Sequence, residues 1–374
     1  SLIVDIPFVE KSQPRAFSPS LPAIDDFPFK LWMKLSLESW RDLDVRELGY
    51  GAALGYRPLR EAVATYLQAA RGVRCTPEQV IITNGAQQAL SLSASLLLNN
   101  GDVAWIENPS HNGAKAALRA ASAKIVPIRV DDEGLIVNEA LRQAEKARLA
   151  FISPSHQFPL GVTMSLTRRL ELLQWAEDQD AWILEDDYDS EFRFGAYPIS
   201  ALQGLDRAGR VIYVGTFSKV LFPGLRLGYM VVPPSLIQPF RAARAHADRG
   251  STLLDQVVLT RFINEGHFAR HIRRMRLLYA ERQSVLIEAA KTYLVGLLEV
   301  QTNNAGLHLV GWLPDGTDDT VVSQTLLDHG IDAPALSSYA LTPLPRSGLV
   351  MGYAVISTEQ IIESVQRMRS ILLA

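Results

Sequence analysis

The sequence predicts an α/β protein: a large domain on a mostly parallel seven-stranded sheet, then a small α+β domain at the C-terminus. Three observations carry this expectation. Between residues 80 and 232, short apolar runs alternate with segments of helical pattern. Most of the runs are continuously apolar rather than alternating, which is how strands covered by helices on both faces read. From about Leu253 the rhythm gives way to one long helical stretch and then a mixture of short strands and helices.

In chain order, residues 1–30 carry Pro7, Pro14, Pro19, Pro22 and Pro28. Proline fixes φ and biases its predecessor toward extended backbone, so an extended arm lying on other structure is predicted. A helix follows from Phe29 to about Arg41, with Trp32 and Trp40 on it. Strands are predicted at Val80–Thr83, Val103–Ile106, Lys124–Ile128, Ala150–Ser153, Trp182–Leu184, Val211–Val214 and Leu227–Val232, and helices at Ala86–Leu98, Asn112–Ala121 and Leu166–Asp178. This βαβ rhythm implies a mostly parallel sheet. The helical stretch Leu254–Thr292 leads to strands at Leu298–Thr302, Gly306–Gly311 and Gly348–Ala354, and to helices at Thr320–His329 and Glu359–Leu372. The expected division is an arm and helix over 1–40, a large domain over 41–255 and a small domain over 256–374.

The chain has 374 residues, 48% of them apolar and 21% charged, with a net charge of −3. That length suits two or three domains of roughly 150 residues each. The charge is not the basic footprint of a nucleic-acid-binding domain. Cys75 is the single cysteine, so no intrachain disulfide forms, and a reducing, cytoplasmic compartment is expected. No apolar run reaches the ~20 residues that span a bilayer, so no membrane association is expected. There is no basic segment followed by an apolar core at the N-terminus, as a signal peptide requires. The chain begins Ser-Leu-Ile-Val without an initiator Met, which reads as an excised domain.

The chemistry concentrates in three segments. In Val211–Tyr229, an apolar run leads into Thr216-Phe217-Ser218-Lys219, a Pro-Gly turn and Arg226. A lysine at the end of a buried strand is desolvated, which favours the neutral, nucleophilic amine. Thr216, Ser218 and Arg226 beside it form an oxyanion-binding set, since the guanidinium fork donates two hydrogen bonds at once. The plain alternative is a polar surface loop. In the second segment, Glu185, Asp186, Asp187 and Asp189 follow the apolar run Trp182–Leu184. An acid there can pair with a protonated ring nitrogen and make a pyridine an electron sink. Asp186 is the choice for that role, with Tyr188 two residues on, placed to reach a ring oxygen. The alternatives are a metal site and an acid cluster at a helix start. In the third segment, Val80–Thr83 ends in Asn84-Gly85 before a helix. The free N–H groups of Gly85, Ala86 and Gln87 and the helix dipole would attract an anion.

These segments, in this order, resemble a fold type I pyridoxal-phosphate enzyme. More narrowly, the chain resembles the aminotransferase-like domain of the MocR/GabR subfamily of GntR-type transcription regulators. The strings are Phe27-Pro28 with Trp32, Gly55-Tyr56-Arg57-Pro58-Leu59-Arg60, Thr83-Asn84-Gly85-Ala86-Gln87-Gln88, His156-Gln157-Phe158-Pro159-Leu160-Gly161, Glu185-Asp186-Asp187-Tyr188-Asp189-Ser190-Glu191 and His271-Ile272-Arg273-Arg274-Met275-Arg276. The resemblance implies pyridoxal 5'-phosphate as cofactor, with Lys219 forming the internal aldimine. It implies Asp186 on the pyridine nitrogen and Tyr188 on the ring hydroxyl. Gly85, Ala86, Gln87, Thr216, Ser218 and Arg226 would hold the phosphate. Tyr50 would reach the phosphate of a partner subunit, hence a homodimer, and Gln157 or His156 would lie near the ring oxygen.

Two departures stand out. His111 occupies a position where the family usually has a tyrosine stacked on the ring; an imidazole can also stack, and the alternative is a solvated loop residue. Gly348–Tyr353 has no arginine where many aminotransferases bind the substrate carboxylate, and Arg346 is the nearest candidate. The arginines of Phe268–Arg282 favour a solvated helix face over a nucleic-acid patch. Two functions stay open. One is an effector domain that senses an amino acid or amine for a regulator whose winged-helix DNA-binding part lies outside this chain. The other is a working aminotransferase.

Overall fold

The computed structural model describes residues 15–49, 51–144, 146–194 and 199–373. Its elements are α1 (Phe29–Asp42), α2 (Arg57–Arg71), β1 (Val80–Thr83), α3 (Ala86–Leu97), β2 (Val103–Asn108), α4 (Asn112–Ala120), β3 (Lys124–Asp131), β4 (Gly134–Leu135), α5 (Val137–Ala144), β5 (Leu149–Ile152), α6 (Leu166–Asp178), β6 (Trp182–Asp187), β7 (Val211–Thr216), β8 (Gly228–Val231), α7 (Ile237–Ala247), α8 (Leu253–Asn264), α9 (His267–Tyr293), β9 (Glu299–Val300), β10 (His308–Trp312), α10 (Asp319–Asp328), β11 (Gly348–Gly352) and α11 (Thr358–Leu373).

The seven expected strands form one sheet, and the two-residue β4 folds back on β3 as an eighth, in the order β1-β8-β7-β6-β5-β2-β3-β4. Strands β7, β6, β5, β2 and β3 run parallel to one another. Strand β8 runs antiparallel to both β1 and β7. Every residue of β1, β5, β7 and β8 is buried, so the continuously apolar pattern reflects helices on both faces. Side chains alternate across β1: Val80 and Ile82 join the core of α2, α8 and α9, while Ile81 joins that of α3, α4 and α7. A second, antiparallel sheet has the order β11-β10-β9.

The long helical stretch is two helices. Gly266, at φ +77°, ends α8 and starts α9, a left-handed backbone that glycine adopts without steric cost. Helices α2, α5 and α7 were not among the expected elements, although α2 carries Pro58 in its first turn and left-handed Gly72 just past its end. From residue 15 on, the arm lies on other structure, while residues 1–14 of the expected arm, with Pro7 and Pro14, lie outside the described residues. Ala16 bridges to Ile331, Gly352 N–H donates to the carbonyl of Phe17, and Phe17 and Phe27 are buried.

This topology gathers the C-terminal ends of β1, β2, β5, β6 and β7 at one edge of the sheet, where β8 begins. In open α/β sheets that edge is where ligands bind. Among the described residues, no helix is long and apolar enough to cross a membrane.

Candidate active site

The four acids at the end of β6 and just beyond it separate by partner. Alternation along the strand puts Glu185 and Asp187 on one side and Asp186 on the other. Glu185 accepts from the backbone N–H groups of Leu202 and Gln203. Asp187 takes the Arg71 guanidinium at 2.8 Å and the Tyr213 hydroxyl at 2.6 Å. Asp189 faces Nδ1 of His156. Asp186 alone keeps a buried carboxylate oxygen, Oδ1, without a hydrogen-bond partner. Burial, helped by Asp187 and Asp189 and opposed by Lys219, pushes its pKa up to about 7. Among the described residues, no group of three or more His, Cys, Asp or Glu side chains is placed to hold a metal.

Lys219 lies just past the end of β7, where Nζ donates to the carbonyl of Ser20 at 2.7 Å. Thr216 Oγ1 accepts from the N–H of Ser218, making the turn that presents the lysine. Across the sheet edge, α3 begins at Gly85, whose φ of +91° needs glycine, and no side chain caps this helix start. The Arg226 guanidinium lies against the same place: its carbon would be 3.8 Å from a β-carbon on Gly85, and Nη2 donates to the carbonyl of Asn84. The structure therefore brings Gly85–Gln87 and Arg226 together. Gln87 also donates to the carbonyl of Gly113, tying the α3 start to the α4 start.

His111 sits at the head of α4, exposed in the cleft yet surrounded by protein atoms. That crowding, together with Lys219 and Lys115, pushes its pKa down to about 4, so the imidazole is neutral. It packs edge-on to Phe158 with ring centroids 5.9 Å apart. Phe158 also meets Tyr188, His308 and Tyr339 edge-on, at 5.9, 5.2 and 5.1 Å. Gln157 is committed elsewhere: its amide donates to the carbonyls of Pro109 and Phe158 and to Glu107, and its oxygen accepts from Leu160 N–H. It braces the loop after β5, whereas His156 contacts the Tyr188 hydroxyl at 2.9 Å. Tyr50 lies outside the described residues. Arg346 pairs with Glu299 at 2.8 Å, lies over the Trp312 ring and lines a cavity of about 390 Å³ with Leu160, Asn303 and Leu336. Two arginines of the basic helix also turn inward: Arg276 donates to the carbonyl of Glu191, and Arg282 to that of Ala354.

The donor set matches pyridoxal phosphate. Such a ring needs a carboxylate for its nitrogen, an amine for its aldehyde and convergent donors for its phosphate. The unbonded Asp186 oxygen, Lys219, and the uncapped α3 start beside Arg226 would supply all three.

Residues 25–368 match the family model "Aminotransferase class I and II". This chain belongs to that family. This aminotransferase-family chain is 43% identical over 96% of its length to the probable rhizopine catabolism regulatory protein MocR of Rhizobium meliloti, 72% of which is covered. It is 35% identical to the HTH-type transcriptional regulator YhdI of Bacillus subtilis, over 97% of this chain and 79% of that one. A kynurenine aminotransferase of Pyrococcus horikoshii, solved in complex with PMP, superposes with a TM-score of 0.88 at 27% identity, covering 97% of this chain and 91% of its own. The fold is that of fold type I transferases.

Several side chains at this family site had no assigned role in the sequence reading. Glu107 is buried beside Asp186, and burial pushes its pKa up to about 8. Lys115 is buried with Nζ on the carbonyl of Tyr339. His308 and Asn303 arrive from the second sheet, and Ser20 from the arm. Only Glu107 carried a sequence signal, as an acid directly after the apolar run Val103–Ile106.

Proposed function

We propose that the chain binds pyridoxal 5'-phosphate covalently through Lys219 and serves as the amine- or amino-acid-sensing module of a transcription regulator. The observation that carries the cofactor is the buried, unbonded Asp186 oxygen in one cleft with Lys219. Asp186 pairs with the protonated ring nitrogen, and Tyr188 donates to the ring oxygen. Arg226, Thr216, Ser218 and the N–H groups of Gly85, Ala86 and Gln87 hold the phosphate, and His111 packs on the ring. When bound, the cofactor supplies an electron-withdrawing ring and an aldehyde that condenses with amines.

Regulatory use is favoured because MocR and YhdI, at 43% and 35% identity, are named as regulators. DNA is reached through a winged-helix part outside these residues, in the cytoplasm. A homodimer is supported by α1: Phe29, Met33, Leu37 and Trp40, at helical spacing, are 46–61% exposed, an apolar stripe that a second copy would cover. Tyr50 would then serve the partner's phosphate.

The test is spectroscopic. Protein with added pyridoxal phosphate should gain visible absorption, which amines or amino acids should change without turnover when a keto acid is present. Sustained turnover would establish the aminotransferase instead. A colourless protein would sink both.

A further inference from the structure

Tyr188 is held by a relay whose proton positions can be worked out from its partners. Asn303, in the segment before β10, donates Nδ2–H to the carbonyl of Gly161 at 3.0 Å. A carbonyl only accepts, so this atom is the amide nitrogen. The same nitrogen lies 3.1 Å from Nε2 of His156, which must therefore accept. With Nε2 bare, the neutral imidazole carries its proton on Nδ1. Nδ1 stands 3.1 Å from each oxygen of Asp189 and 2.9 Å from the Tyr188 hydroxyl. An Nδ1–H donates to these oxygens and cannot accept from them. The single Nδ1–H is shared among these oxygens and Nδ1 accepts from none of them, so the Tyr188 hydrogen is left to point away from His156. Space is reserved for this arrangement: a β-carbon on Gly306 would collide with the His156 ring, and one on Gly161 with the Asn303 amide. His156 and Asp189 are almost fully buried.

We propose that His156, fixed as its Nδ1–H tautomer by Asn303, is a positioning residue that turns the Tyr188 hydroxyl hydrogen onto the cofactor's ring oxygen. The inference rests on the pyridoxal-phosphate reading above, with Tyr188 against that oxygen. Without His156, nothing holds the Tyr188 hydrogen on that side, and the hydroxyl is free to turn it away from the ring oxygen. Asn303 comes from the loop between β9 and β10 and His156 from the loop after β5, so the relay joins the two sheets at the ring. The charged and titratable groups facing it are Asp186, Asp187, Asp189 and Arg193 from β6 and the segment after it, Glu107 from β2, Lys219 from the β7 end, His308 from β10 and Tyr353 after β11. None of these is altered by the substitutions below.

A hydrogen donated to the ring oxygen stabilises its anionic form, which lowers the pH at which the visible absorption of the Lys219-bound cofactor changes. The experiment is a pH titration of that absorption in the holoprotein and in Tyr188→Phe, His156→Phe and the double variant. Tyr188→Phe and His156→Phe should each raise the midpoint by about half a pH unit or more, the worth of one hydrogen bond. The double variant should match Tyr188→Phe alone, because His156 acts only through Tyr188. Asn303→Ala, at the edge of the relay, should shift the midpoint the same way by less, and it serves if His156→Phe does not fold. A wild-type midpoint in His156→Phe, or in Asn303→Ala where His156→Phe does not fold, would overturn the proposal, as would a fully additive double variant. No visible absorption in the wild type would defeat the cofactor reading itself, and an unmoved midpoint in Tyr188→Phe would remove Tyr188 from the ring oxygen.

Discussion

Lys219 Nζ donates to the carbonyl of Ser20 across 2.7 Å, so the amine at the end of β7 ties down the N-terminal arm. Replacing it frees both ends. Lys219→Ala should leave the protein colourless with pyridoxal phosphate. It should also speed amide exchange around residues 17–23 by up to about tenfold, the equivalent of one hydrogen bond of ~1.4 kcal/mol. Hydrogen-exchange mass spectrometry reads the second effect. Unchanged exchange would mean that the buried Phe17 side chain and the backbone pairing to Ile331 and Gly352 hold the arm unaided.

Arg226 and Gly85 define the phosphate end. Arg226→Gln keeps length and hydrogen-bonding capacity but loses the charge and the fork. Its dissociation constant for pyridoxal phosphate, measured by fluorescence titration, should rise roughly 10- to 100-fold, corresponding to ~1.5–3 kcal/mol. Gly85→Ala forces a side chain into φ +91° and should cost about 1–3 kcal/mol of stability in addition to weakening the cofactor. Wild-type affinity in Arg226→Gln would place the phosphate elsewhere.

The pH dependence of the cofactor-free protein follows from Asp186. Burial, with Asp187 and Asp189, raises its pKa to about 7, above the value of an unfolded aspartate. The folded state therefore holds a proton that the unfolded state has lost. The associated stability is present below about pH 4 and disappears as pH rises toward 7. Asp186→Asn, a neutral isostere, should raise the melting temperature over wild type at pH 7.5 and change it little at pH 5, while weakening cofactor binding. Glu107, at about 8, and Glu191, at about 7, act in the same direction and keep part of the slope in the variant. A gap between variant and wild type that does not widen from pH 5 to 7.5 would contradict this account.

The proposed homodimer is tested at the α1 stripe. Met33→Glu with Leu37→Glu places two charges on an exposed apolar face that no described part of the chain covers. Sedimentation should show a dimer in the wild type and a monomer in the variant, and the role proposed for Tyr50 at the neighbour's phosphate predicts a reduced cofactor affinity with it. A dimer that survives both charges would move the interface off α1.

Periodicity made the large sheet legible. The continuously apolar runs at 80–83, 103–106 and 211–214 fall inside β1, β2 and β7 because strands buried on both faces leave no polar position to mislead. Helix α6 matches its expected bounds, Leu166–Asp178, where Ser165 caps the first turn. Helix α2 was missed although Pro58 and Gly72 mark its ends. The two-residue β4 had no pattern at all, being defined only by its pairing with β3.

By itself, the sequence determined the alternation of strands and helices and the residue types at the strand ends: Lys219, Arg226, Gly85 and the acids after Trp182. These follow from local rules, the period of side-chain burial and the few residues that tolerate a tight turn or hold a charge there. Only the tertiary structure decided which acid is unpaired. Glu185, Asp187 and Asp189 are taken by Leu202 and Gln203, by Arg71 and Tyr213, and by His156, partners that lie 17 to 116 residues away. Such pairings are set by the crossover of strands in the sheet and by the docking of the second sheet, which no local pattern of residues encodes.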